Sequence, residues 1–532
     1  MASTNPPRIF AGDRQRLVSD IMQRAAQAAA GFKALGVGED DVVALLLRND
    51  FAFFEASLAA GQIGAYATPI NWHATAAEAE YVLADSSAKV LVVHTDLWPG
   101  IAAGVPDGVK LLFVTTPPEI LAAYKSANEF ANDSANDSAN DSANDLAALP
   151  PGVVMWDAWV GQHAPLASPP PDMRGVMIYT SGTTGKPKGV RRNPVNAQQF
   201  AAMSAATAAA YGLTPEQPMR VLMNGPMYHS APNSYGSTAA RLGADIVLQE
   251  RFDPEQMLAL IERHRITHMH IVPTMFYRLL QLPDEVRRRY DLSSLKDVVH
   301  GAAPCSPALK QAMITWWGPV ISEYYGSTET GLMARNTSAD ALNKPGTVGR
   351  AIPGARFAIL DEGSTEVAPG VVGDVYVQIA HMPDFTYHRQ PDKRQAAGRN
   401  GYITVGDVGW LDEDGYLFLS DRKNDMVISG GVNIYPAEIE AVLLGISGVK
   451  DCAVFGIPDA EFGEQLCAYV QREEHAAALT EDDIRRQLAA QLAKFKVPRL
   501  IKFADSLPRE DSGKIFKRKL RAPYWESSDR KI

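Results

Sequence analysis

Between residues 17 and 93, short apolar runs alternate with longer segments of helical periodicity. Residues 17–35 are Ala-rich and amphipathic and stop at Gly36. Residues 42–47 read V-V-A-L-L-L, an unbroken apolar run of the kind found in buried strands. Residues 51–64 read as a helix, 65–70 as a strand, 75–84 as a helix and 89–93 as a strand. Strands spaced by helices of this length imply a parallel sheet with crossover connections.

The alternation resumes from residue 177 to about 344. Residues 346–420 carry short strands broken by Gly, Pro and Asp turns. From residue 425 a compact pattern follows: helix 434–444, strand 449–457, helix 481–492 and strand 500–503. A chain of 532 residues is too long for one ordinary core. The expected architecture is α/β. A large N-terminal domain, 1–424, comprises two parallel α/β subdomains (about 1–170 and 171–345) and a β-rich subdomain (346–421). A small mobile α+β domain, 425–532, follows a boundary at 422–425. Residues 131–145 form an A-N-D-S tandem with no apolar face, which reads as a mobile surface loop.

The formal net charge of −10 gives no sign of nucleic-acid binding. An anionic substrate must be held by local basic and amide groups against that overall field. Cys305, Cys452 and Cys467 lack the spacing of a disulfide framework or a zinc site. The N-terminus has no signal-peptide pattern, and residues 51–70, the longest apolar stretch, are interrupted by Glu55 and Gln62. A cytoplasmic protein without a membrane span is expected.

Residues 179–189 read Y-T-S-G-T-T-G-K-P-K-G. Thr180, Ser181, Thr183 and Thr184 supply hydroxyls. Gly182, Gly185 and Gly189 let backbone N–H groups turn toward an anion, and Lys186 and Lys188 add positive charge. That mixture suits a polyphosphate. It departs from G-x-x-x-x-G-K-[ST], which needs Gly where Thr180 stands and Ser or Thr where Pro187 stands.

Four further segments follow in order: Y-Y-G-S-T-E-T at 324–330, Y-I-T-V-G-D-V-G-W at 402–410, D-R-K-N-D-M-V-I-S-G-G-V-N-I-Y-P-A-E at 421–438, and P-R-E-D-S-G-K-I-F-K-R at 508–518. With the phosphate loop they resemble the adenylate-forming (AMP-binding) superfamily, most strongly its acyl-CoA synthetase branch. The resemblance implies ATP, Mg2+ and coenzyme A as cofactors. Lys514 would be the catalytic cation stabilising charge at the α-phosphate. Thr184 and Glu329 would hold Mg2+, which binds few carboxylates plus substrate phosphates. Gly301, Ala302, Ala303 and Pro304 would border adenine, with Tyr325 stacked on its other face. Gly326, Ser327 and Thr328 would adjoin the nucleotide. Asp407 and Arg422 would contact ribose, and Ser429, Gly430 and Gly431 would line the thiol tunnel. Asn424, where the family often has Asp or Lys, would be the hinge. Lys517, Arg518 and Lys519 read as a solvated basic face.

The implied reaction needs no general base for its first step, because a carboxylate is ionised at neutral pH. The acid would lie among residues 227–236, 300–304 and 324–333. His229 would act as a gate, with Ser230, Ala231, Ser234, Tyr235, Gly301, Tyr324, Gly326 and Gly331 around the substrate. Small residues, Gly236 among them, leave room for a bulky tail. None of the three stretches holds Arg or Lys, which points to a monocarboxylic acid with an apolar body, fatty or aryl. The alternative acceptor is the thiol of a carrier protein. A non-catalytic nucleotide-binding protein and a dinucleotide oxidoreductase are the readings from other classes. Intact Lys514, Glu329 and Asp407 argue against the first. Gly36-Val37-Gly38, lacking a third glycine, argues against the second. The oligomeric state stays open, with a homodimer as one option.

Overall fold

A computed structural model of the chain describes residues 6–128, 149–167, 172–180, 187–214, 218–422, 425–429, 432–459, 462–473, 476, 478–509 and 515–525. The A-N-D-S tandem lies outside them.

A four-stranded parallel sheet runs in the order Tyr66–Pro69, Val42–Leu46, Ala88–His94, Lys110–Val114. Every residue of Val42–Leu46 is buried. Val43 and Leu45 face one core, with Phe32 and Phe54 from the helices Val18–Ala34 and Phe51–Gln62. Val42, Ala44 and Leu46 face a second core with Leu83 of the helix Ala76–Ser86. A strand covered on both faces has no polar alternation, which explains the unbroken apolar run. Thr75 and Glu78 cap that last helix reciprocally, a device worth roughly 1 kcal/mol.

A larger mixed sheet carries the site. Its parallel part is Ile321–Ser327, Asp297–His300, His268–Ile271, Arg220–Met223 and Asp245–Leu248. Arg8–Ala11 adds beside Asp245–Leu248, so the first strand of the chain belongs to this sheet, not the first. On the other side of Ile321–Ser327 the pairing turns antiparallel at Gly331–Asn336. It then continues through Thr347–Ala351, Tyr416–Arg422, Tyr402–Leu411, Gly373–Ile379 and Ala355–Leu360. The β-rich stretch expected as its own subdomain therefore extends this sheet, because Ile321–Ser327 has a second edge whose backbone groups need partners.

Ile178–Thr180, Lys188–Arg192 and Phe385–Tyr387 form a small antiparallel sheet. The smaller C-terminal domain has five strands, among them the hairpin Val449–Asp459/Gly463–Arg472 with Leu500–Phe503 parallel to its second arm. Ile439 and Leu443 of the helix Pro436–Leu443 and Ile484 and Leu488 of Glu481–Ala489 close its core against Val454 and Val470.

Candidate active site

The small three-stranded sheet sets the phosphate side. Thr180 pairs with Lys188, so the two ends of the expected phosphate loop lie side by side. Ser181, Gly182, Thr183, Thr184 and Gly185 lie outside the described residues. The base of that loop is fixed: Tyr179 donates to Asp85 at 2.6 Å, and Tyr81 donates to the carbonyl of Pro187 at 2.9 Å. Thr180 and Lys188 both line a cleft of about 1870 Å³. The Lys188 ammonium lies 5.3 Å from the centre of the Tyr387 ring. Burial and then neighbouring Lys393 lower its pKa, while Glu329 opposes them.

Glu329 borders the same cleft and accepts a hydrogen bond from the Tyr387 hydroxyl at 3.0 Å. Burial, and then the Glu329 charge, hold that phenol above its usual pKa, so it stays a donor. Among the described residues no three metal-binding side chains cluster. A single anchored carboxylate still fits Mg2+, which takes most of its remaining ligands from phosphates and water. Thr328 donates to Ser230 at 3.0 Å, and the Ser327 and Thr330 hydroxyls lie 2.9 Å apart. Arg192 was not singled out from sequence. Its guanidinium donates to the carbonyls of Thr328 (2.8 Å) and Pro383 (3.4 Å). Two arginines directly after K-P-K-G-V were the available signal.

On the nucleotide side, the Tyr325 hydroxyl donates to Asp407. Across the strands, Asp407 pairs with Arg422 in backbone register. The Tyr325 ring keeps 9% of its surface exposed and tilts against Phe357 at 6.4 Å, so the expected stacking face is nearly closed. Gly301 has a packing reason: a Cβ there would lie 2.4 Å from the Tyr324 ring. That ring covers Gly301, which is buried. Ala302 lines the cleft at φ +66°, and exposed Pro304 follows Ala303 in the loop to the helix Pro307–Trp317. At Gly326 a Cβ would lie 2.5 Å from the Gly331 carbonyl, beside a bulge where the register shifts between Tyr325 and Gly326. Bulges of this kind re-aim the residues that follow, here Ser327, Thr328 and Glu329.

The helix Ser230–Arg241 forms the wall on the acyl side. Ser230, Ala231, Ser234, Ser237, Thr238 and Arg241 line the cleft, as do Tyr324, Gly326 and Gly331. Two expectations are corrected. Tyr235 is fully buried and packs on Tyr211 (ring centroids 5.1 Å) and His270 (5.8 Å), one helical step of about 100° away from the cleft face. Gly236 also faces the core, where a Cβ would meet Met223 at 2.9 Å. His229 sits at the entry of this helix against Tyr228, with ring centroids 4.4 Å apart.

The C-terminal domain reaches the cleft through Arg509, Phe516 and Lys519. Arg509 and Ile515 form an antiparallel bridge, and Phe516 N–H donates to the Pro508 carbonyl at 2.8 Å. Residues 510–514, Lys514 among them, lie outside the described residues. Lys519 borders the cleft and is exposed, as is Arg518 beside it, in keeping with a solvated basic face; Lys517 instead pairs with Glu440 at 2.8 Å. Ser429 ends a strand of the C-terminal hairpin Val427–Ser429/Val432–Ile434. Gly430, Gly431 and Asn424 lie outside the described residues. The cleft's described cations are Arg174, Lys188, Arg192, Arg241, Arg509 and Lys519, against three acids, Glu78, Glu80 and Glu329. This is the local positive surface that a chain of net charge −10 needs to hold an anion.

Residues 7–382 match the family described as AMP-binding enzyme, and residues 438–514 match the AMP-binding enzyme C-terminal domain. The chain belongs to this adenylate-forming family, in its acyl-CoA synthetase branch. It is an acid–thiol ligase that works with ATP, Mg2+ and coenzyme A. It is 31% identical over 541 residues to a medium/long-chain-fatty-acid–CoA ligase of Mycobacterium tuberculosis, covering 99% of this chain and 89% of that one. It is 30% identical over 540 residues to the fatty acid–[acyl-carrier-protein] ligase ScoC of Streptomyces coeruleorubidus, covering 99% and 95%. The solved structure of ATP-bound MatB from Rhodopseudomonas palustris is 27% identical, with a TM-score of 0.82 over 98% of this chain and 97% of that one.

Proposed function

We propose that this ligase activates a carboxylic acid with an apolar body, fatty or aryl, as its acyl-adenylate and transfers the acyl group to the thiol of CoA. One observation carries this reading. Arg509 and Phe516, on either side of Lys514 in the sequence, border the same cleft as Lys188 and Glu329. In the first step a carboxylate oxygen forms a bond to the α-phosphorus and the bond to pyrophosphate breaks. Charge concentrates on the phosphorus oxygens, where the Lys514 ammonium stabilises it. Thr180 to Gly185 and Lys188 hold the polyphosphate. Thr184 and Glu329 hold Mg2+, which when bound offsets phosphate charge. Asp407 and Arg422 take the ribose hydroxyls, and Ala302 and Tyr325 border adenine.

In the second step the thiol gives up its proton to solvent, its sulfur bonds to the acyl carbon and the bond from that carbon to AMP breaks. The thiol, with a pKa near about 8.5 by analogy with cysteine, enters past Ser429, Gly430 and Gly431 after the C-terminal domain turns about Asn424. Asn424 follows by two residues the end of the strand that aligns Arg422 with Asp407. His229 separates the acyl channel from the thiol entry.

A second acceptor, a carrier-protein thiol, is favoured by the likeness to the Streptomyces ligase. A panel of acids assayed for AMP release with free CoA, with a phosphopantetheinylated carrier protein and with neither tests both. Steady thioester formation on free CoA supports the first reading. Turnover only with the carrier supports the second.

A further inference from the structure

The reading above leaves the far end of the acid undefined, and Arg241 stands there. We propose that Arg241 binds an anionic group at the distal end of the substrate, so that the preferred acids are long-chain dicarboxylic acids. The inference rests on the ligase reading and deepens it.

The helix Ser230–Arg241 presents Ser230, Ser234, Ser237 and Arg241 along one face of the cleft, spaced by three or four residues. Ser230 marks the reacting end, bonded to Thr328 beside Glu329. Eleven residues of helix put Arg241 about 16 Å further along. The facing helix Ala197–Ala210 lines the channel with Phe200, Met203, Ser204 and Thr207. At the far end Met22, Ser57 and Leu58 border both the cleft and a small adjoining void with Arg241. This stretch of the cleft therefore runs about 16 Å past Phe200 and Met203 to a cation.

Among the described residues no acid pairs with that cation. Of the other arginines on the cleft wall, Arg174 pairs with Asp40 at 3.0 Å and Arg509 with Asp451, while Arg192 feels Glu329 and Asp384. Arg241 donates only to the Thr238 hydroxyl at 3.3 Å and lies over the Phe200 ring at 5.3 Å. Desolvation by its neighbours lowers its pKa to about 10, so it remains a cation at neutral pH. Its surface nonetheless stays open to the cleft. A guanidinium on the cleft wall offers paired N–H donors that a substrate carboxylate can accept. The ring and the hydroxyl hold the guanidinium plane ready for that contact. The absence of Arg and Lys from residues 227–236, 300–304 and 324–333 pointed to a monocarboxylate, but the helix continues past that first stretch and brings its own cation.

The experiment compares dodecanoate with dodecanedioate, by AMP release with CoA, in the native protein and in Arg241→Met and Arg241→Glu. The native protein should show the lower KM for dodecanedioate. Arg241→Met should raise that KM about tenfold or more, the loss of one charge-assisted pair, with kcat and the dodecanoate KM almost unchanged. Arg241→Glu should turn the preference toward the ω-amino analogue of dodecanoate, an exchange that a purely structural arginine would not give. Equal handling of both acids by the native protein, or equal loss on both in the variants, overturns the inference and leaves the ligase reading standing. No AMP release from any acid overturns the ligase reading and the inference together.

Discussion

The Tyr387 hydroxyl lies 3.0 Å from Oε1 of Glu329, on a strand paired to the one that leaves the phosphate loop. One small sheet thus carries Thr180, Lys188 and the donor that orients the carboxylate we propose for Mg2+. A hydrogen bond to a charged group contributes about 1.5–3 kcal/mol. Tyr387→Phe should therefore lower kcat/KM for Mg-ATP about ten- to a hundredfold and raise the Mg2+ concentration needed for half-maximal AMP release. A Mg2+ titration checks this. An unshifted titration with normal turnover would remove Tyr387 from the account.

Arg192 ties the strand after the phosphate loop to the backbone at Thr328 and Pro383. Arg192→Met leaves two carbonyls without their donor and frees the turn that carries Glu329. The expected result is a loss of about tenfold or more in kcat/KM for ATP, with the KM for the acid much less affected. Initial-rate kinetics with both substrates varied would show the split. Equal loss on both would mean a general packing defect.

How much of this was legible beforehand varies with the physics. The Val42–Leu46 strand was plain because both of its faces are buried, so no turn chemistry or polar alternation obscures it. Asp407 and Glu329 were marked by motif order, and the structure brings each to a tyrosine that the motifs do not pair with it. Tyr235 and Gly236 were misplaced because a stretch of sequence does not show which helix face meets the cleft. Arg192 and Arg241 were missed for a related reason: the sequence does not show which basic residues line a cleft. The continuation of the large sheet through residues 347–422 was hidden because strand pairing between distant segments leaves no local signal.

Buried imidazoles give the protein an acid limit. Burial lowers the pKa of His270 from 6.5 to about 3, and its Nε2 lies 3.1 Å from the Tyr324 hydroxyl. Between those two values the unfolded chain binds a proton that the folded chain does not. Stability from this group is complete above about 6.5 and is lost progressively as pH falls toward about 3. His268 and His300 are shifted the same way by burial. The thermal midpoint should fall over that window, and fall less steeply in His270→Gln. Parallel pH profiles for the two proteins would contradict the assignment.

Ala231 lines the acyl channel one residue after the Ser230–Thr328 contact. An indole there fills the passage without touching the phosphate side. Ala231→Trp should cut turnover of long acids about tenfold or more while sparing short ones, since overpacking a filled channel costs about 1–3 kcal/mol. Chain-length profiles of both proteins decide it, and equal loss at every length would argue against the channel's direction.

The central claim is that Lys514 of the C-terminal domain stabilises charge at the α-phosphorus. The direct measurement is pyrophosphate release from ATP and acid by Lys514→Ala, set beside thioester formation from pre-made acyl-adenylate and CoA. The account predicts near-complete loss of the first with the second largely kept, because the lysine serves one half-reaction alone. Undiminished pyrophosphate release by Lys514→Ala would contradict it.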